Sequence, residues 1–222
     1  MFEEELEMEK KEGSSFGPVL IIFVLIGLFI GGIGVVIFQS RQKVKPEEAT
    51  TVIQNKLKAA PIVSVTFRTG NVSNTSANDP QYKLLEKAGI LKIGKGKGYA
   101  SQVDLTPAGK DLLASLPSVK GVPDKAKTTT VYEMPLASRK LVSVGKVTKL
   151  SHDKCQVQYT WAWQTTKAGE LFDIAGKFVQ SLPPYERGML IDQHGANYYH
   201  GAPSAAAIVL KKEDTGWEPA SK

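Results

Sequence analysis

Residue types able to do chemistry gather at only a few points in these 222 residues. Ser151-His152-Asp153-Lys154 sets a hydroxyl and an amine at the spacing that lets a helix hold them one turn apart, as a serine nucleophile and its base require. Here the tetrapeptide falls between two strand-like segments, so it reads as a turn. Cys155 alternates with Val157 and Tyr159 toward an apolar face, where a thiol packs as a small hydrophobe. His194 and His200 flank Asn197-Tyr198-Tyr199, with no third ligand at useful spacing, so no metal site is expected. Gly94-Lys95-Gly96-Lys97-Gly98 has neither spacing of a phosphate-cradling loop and joins two strands rather than a strand and a helix. No catalytic residue, cofactor site or enzymatic activity is expected from these stretches.

Binding is better served. Trp161 and Trp163 alternate with Tyr159 along one strand, and Phe178 lies on a following helix. Such aromatics line ligand clefts as well as cores. The expected cleft therefore lies between that strand and the helix, with Trp161, Trp163, Tyr159 and Phe178 as its walls. Lys95 and Lys97 are the expected contacts for an anion or a nucleic-acid backbone.

The elements that must position these residues can be read from periodicity. Cys155, Val157, Tyr159, Trp161 and Trp163 alternate with Gln156, Gln158, Thr160, Ala162 and Gln164, the period of a strand with one apolar face. Thr128–Leu136 and Lys140–Leu150 read as two further strands, and Ala168–Leu182 as one amphipathic helix. A second helix is expected over Tyr185–Gln193, then extended chain over Ala206–Lys212 and Gly216–Glu218. Upstream, Pro46 opens a helix running to about Ala59, and Ile62–Arg68 alternates as a strand. Gly70–Pro80 reads as a loop and Pro117–Lys127 as a linker. No internal repeat is evident.

Asp79–Leu116 carries a resemblance. Tyr82-Lys83-Leu84-Leu85-Glu86-Lys87-Ala88-Gly89-Ile90-Leu91 is followed by the basic glycine segment Gly94–Gly98. Leu105-Thr106-Pro107-Ala108-Gly109-Lys110-Asp111-Leu112-Leu113 comes next. Together these resemble part of a winged-helix module, with a helix, a wing and the Leu-Thr-x-x-Gly turn after the second wing strand. The resemblance implies a helix that reads a groove and a wing that touches phosphate. The chain departs from that pattern. No complete helix-turn-helix precedes residue 79, and Pro80–Ala88 presents no Arg, Asn or Gln set for base readout.

Val19–Phe38 contains only Val, Leu, Ile, Phe and Gly. At about 1.5 Å per residue such a helix spans about 30 Å, the thickness of a bilayer's hydrocarbon core. Gly27, Gly31 and Gly34 share one stripe of it, a surface on which two such helices can pack. Expected regions are an acidic tail (1–18), a transmembrane helix (19–38) and a basic stalk (39–45). A small winged-helix-like lobe (46–116), a linker (117–127) and an antiparallel-sheet domain (128–222) follow. The fold class is α+β. The expected protein is a single-pass cell-membrane protein with its C-terminal domain outside the cytoplasm. It would bind or scaffold without catalysis, its partners being the lipid bilayer, a second copy through the span, and a protein or envelope component. Nucleic acid is not an expected partner, and the alternative is a membrane-tethered winged-helix nucleic-acid-binding regulator.

Overall fold

The computed structural model describes residues 44–117, 119–125 and 128–220. The acidic tail, the apolar run with Gly27, Gly31 and Gly34, and most of the stalk lie outside the described residues. Among the described residues no helix is long and apolar enough to cross a membrane.

The first described element is α1 (Pro46–Ala59), with Pro46 in the first turn and Glu47 and Glu48 at the positive end of its dipole. Strand β1 (Val63–Ser73), the short helix α2 (Asn74–Ala77) and helix α3 (Pro80–Lys87) follow. A hairpin of β2 (Leu91–Lys95) and β3 (Ala100–Leu105) leads into α4 (Pro107–Ser115), and β4 is Val122–Pro123. A long hairpin, β5 (Thr129–Lys149) and β6 (Lys154–Thr165), leads into α5 (Lys167–Leu171), α6 (Lys177–Gln180) and α7 (Pro184–Gln193). Strands β7 (Ser204–Glu213) and β8 (Gly216–Pro219) close the chain. The fold is α+β, with one 8-stranded sheet ordered β2-β3-β1-β5-β6-β7-β8 and β4 paired beside β5. Every strand pairing is antiparallel.

The expected loop Gly70–Pro80 contains α2 and the expected linker Pro117–Lys127 contains β4, and three larger differences reshape the sheet and its helices. The two strands expected over 128–150 form the single strand β5. It pairs with β1 over Thr129–Ala137 on one edge and with β6 over Ala137–Lys149 on the other, so Ala137 opposes both Val63 and Thr165. Ala137-Ser138-Arg139 contains no Gly, Pro, Asn or Asp to close a turn, and shifts of register bend the strand without ending it. Strand β1 continues through Ser73 where a loop was expected, because Gly70 adopts φ 93° and brings its backbone against the Thr128 carbonyl. The helix expected over Ala168–Leu182 is broken into α5 and α6. Asp173 accepts the Ala175 N–H on its own side chain and its carbonyl accepts the Gly176 N–H, so the intervening chain turns outward.

Two apolar clusters lie along the sheet. The larger joins Phe67, Leu84, Leu85, Met134, Leu136 and Phe172 with residues of α4 to α7. The smaller joins Val44, Ala49, Ile53 and Leu57 to Cys155, Val157, Ile208 and Leu210. Helix α1 thus packs on strands far along the chain, and α7 packs on α3. Lys83 pairs with Glu186 at 2.5 Å and Lys87 donates to the Ser181 carbonyl at 2.9 Å, closing that helix contact.

The two hairpins enter their helices through the same joint. Thr106 and Thr166 each accept the N–H of the glycine opening the helix, at 3.0 and 3.1 Å for Gly109 and Gly169. Each hydroxyl also donates to backbone carbonyls, Thr106 to Gly89 and Ile90 in the turn before β2, Thr166 to Pro135 and Leu136 of β5. Both glycines lie hard against a carbonyl: a methyl on Gly109 would sit 2.2 Å from the Ile90 oxygen, and on Gly169 2.1 Å from that of Leu136.

Candidate functional site

Alternation along β6 sends Trp161 and Trp163 to the same face, and pairing places Arg139 opposite Trp163 and Leu141 opposite Trp161. Arg139 therefore reaches both indoles, its guanidinium carbon 5.0 Å from the Trp161 ring and 5.5 Å from that of Trp163. The two indoles meet edge to face at 5.0 Å, and Trp163 meets Tyr199 the same way at 5.6 Å. An exposed cation over an aromatic face contributes about 0.5–1 kcal/mol. The sequence expectation of a tryptophan-lined cleft meets a different arrangement here, because Arg139 already stands over both rings.

Tyr159 packs with the smaller cluster, opposite Ala206 of β7. Phe178 lies elsewhere again. It borders a crevice of about 390 Å³ whose walls include Glu170, Asp173, Lys177 and His200. Of the four aromatic residues expected to line one cleft, Trp163 and Phe178 pack against the larger cluster and Tyr159 and Trp161 against the smaller.

The crevice holds one of three buried side-chain polar atoms without a hydrogen-bond partner among the described residues, the others being Gln81 Oε1 and His194 Nε2. Asp173 is buried, at 3 % exposure, in the break between α5 and α6. A parallel bridge to Asn197 fixes its backbone, reinforced by Ile174 N–H to the Asn197 carbonyl at 3.0 Å and Asn197 N–H to Phe172 at 3.3 Å. Its Oδ1 accepts the Ala175 N–H at 2.8 Å, while its buried Oδ2 has no hydrogen-bond partner. The exposed His200 ring faces it, with Nε2 3.7 Å from Oδ2, beyond hydrogen-bond reach. Burial first, and the Asp173 carboxylate second, push the Tyr199 hydroxyl up to about 12, so it stays protonated and donates to the Gly195 carbonyl. Across the mouth, the Lys177 ammonium lies 5.0 Å from the Phe178 ring centre.

The remaining expected residues stand apart. Lys95 and Lys97 are exposed on the β2–β3 hairpin, beside a Tyr99 that is 94 % exposed. Ser151 donates to Asp153 at 2.7 Å within the β5–β6 turn, and Cys155 is buried. His194 ends α7, and burial lowers its pKa against the opposing pull of Asp79. Among the described residues no group of three or more His, Cys, Asp or Glu is placed to hold a metal ion. Asp173, Arg139 and Tyr199 were not among the residues singled out by sequence. Asp173 had one signal available, an acid inside the apolar run Leu171-Phe172-Asp173-Ile174.

Compared with protein-family models, curated proteins and solved structures, the chain matches none.

Proposed function

We propose that this chain is a membrane-anchored, non-enzymatic binding or scaffolding protein that displays a basic α+β domain at the membrane surface. The observation that carries the reading is the distance from the apolar run to the folded domain. Phe38 closes the run, and Val44, only 3 % exposed, already belongs to the smaller core. A stalk this short reaches about 20 Å when fully extended, so the domain works at headgroup level. Confinement of that kind raises the encounter rate with surface partners without any new contact.

Membrane fractionation of the full chain tests the anchor. Retention through high salt and carbonate, with release by detergent, is the expected result. Recovery in the aqueous fraction overturns it. A reporter fused after Lys222 and active only outside the cytoplasm is the expected topology.

The alternative, a membrane-tethered winged-helix regulator, draws on the order α3-β2-β3-α4 and on Lys95, Lys97 and Tyr99 at the hairpin tip. Weighing against it, the groove-reading helix would be α3. That helix buries Pro80, Gln81, Tyr82, Leu84 and Leu85, and commits Lys83 and Lys87 to α7 and the end of α6. Steeply salt-dependent retention on DNA, lost in Lys95→Ala/Lys97→Ala, would promote this alternative.

A further inference from the structure

We infer that the crevice between α5 and α6 is a binding site for a primary ammonium group, with Asp173 as its buried acceptor. This deepens the binding reading above but does not depend on the anchor, so the two can fail separately.

The Asp173 carboxylate has more acceptor capacity than the turn around it uses. The turn between α5 and α6 needs one side-chain oxygen, and Asp173 Oδ1 supplies it to the Ala175 N–H. An asparagine would stop the helix equally well through the same oxygen. The carboxylate adds a second acceptor, Oδ2, which is buried and has no hydrogen-bond partner. Backbone bonds from Ile174, Gly176 and Asn197 lock the turn, so the carboxylate has little freedom to swing out and find one. Buried acceptors left in this condition are rare in native folds and call for a missing donor.

The walls select the donor. Glu170 is a second, exposed carboxylate on the same crevice, and Phe178 offers an aromatic edge and face. The Phe178 ring already carries the Lys177 ammonium 5.0 Å from its centre, so the ligand's charge falls to the two carboxylates and the ring supplies apolar wall for its alkyl part. An ammonium carries three donors and can satisfy Oδ2, Glu170 and solvent together. A divalent ion is poorly matched, because no group of three or more ligating side chains is gathered among the described residues. An anion would meet the buried carboxylate and be repelled. His200, exposed and 3.7 Å from Oδ2, stands at the entrance and must turn aside to admit the ligand.

The test is an NMR titration of the full chain in lipid nanodiscs with butylammonium, with butanol as the uncharged control and Mg²⁺ and Zn²⁺ as separate arms. A fragment this small binds with a Kd on the order of 1 mM. Saturable shifts are expected at the Ala175 amide, the Phe178 ring and the His200 ring, absent with butanol. Asp173→Asn keeps the Oδ1 acceptor and should weaken binding about tenfold or more, the loss of one charge-assisted bond. Glu170→Gln, at an exposed position, serves if the Asp173 variant does not fold, and should weaken binding about threefold. Equal shifts with butanol, an unchanged Kd in a folded Asp173→Asn, an unchanged Kd in Glu170→Gln where Asp173→Asn does not fold, or saturable binding of a metal ion but not of butylammonium, would each overturn the assignment.

Discussion

The β2–β3–α4 and β5–β6–α5 units are built on one plan and used for different ends. Each is an antiparallel hairpin entering a helix through Thr-x-Ala-Gly, with the same hydroxyl cap and the same glycine pressed on a carbonyl. The first hairpin is short, lies at the edge of the sheet and ends in an exposed basic tip. The second is long and central: β5 serves both apolar clusters, β6 carries the tryptophan ladder, and α5 leads into Asp173. The joint is local chemistry that needs only a hydroxyl and a missing side chain. The hairpin's length and role are set by what the rest of the chain must cover.

The comparison breaks most visibly at the apolar residues just past each joint. Phe172→Ala should cost about 3–5 kcal/mol and Leu113→Ala about 2–5 kcal/mol, measured by urea denaturation. Phe172 is fully buried and Leu113 retains 7 % exposure, so the first loss should be the greater. A single shared transition in both variants would mean that β5 couples the two clusters. Two separated transitions would mean that it does not.

Next come the glycines. Gly169→Ala and Gly109→Ala each force a methyl into a backbone carbonyl and should cost about 1–3 kcal/mol apiece. If one proves neutral by thermal melting, the joints are alike in outline only. Thr106→Ala and Thr166→Ala remove a cap and should cost about 1 kcal/mol each, with serine at either position recovering most of it.

The smallest effect concerns pH. Burial lowers the His194 pKa, so the unfolded chain takes up a proton more readily than the native one. Stability should hold above the ordinary histidine value of 6.5 and decline as pH falls below it toward the lowered native value. Melting temperatures at pH 7.5 and 5.5 measure this. A His194→Gln variant should show the shallower slope, and α3–α7 amides should lose exchange protection first in the parent chain.

Much of the fold was legible where short-range signals dominate. The proline starts of α1, α3 and α4, the alternation of β6 and the glycine end of α3 all follow from local chemistry, as does the burial of Cys155. What was not legible depends on partners distant in sequence. Nothing near Ala137 shows that it pairs on both edges, and nothing near Pro46 shows that α1 covers β6 and β7. The repeated joint was written in Thr106–Gly109 and Thr166–Gly169, yet too briefly to stand out from chance. The crevice was hidden for a different reason. Its walls come from the break in an expected helix and from the turn after α7, two features that no local pattern announces.

The packing of α1 has a mechanical consequence. It is the first described element, so a load entering from its N-terminal side acts on it before any described strand is reached. Peeling α1 away strips the cover from Cys155 while leaving the cluster around Phe172 closed. The protein's one thiol would then report tension on the chain by becoming reactive to an alkylating dye.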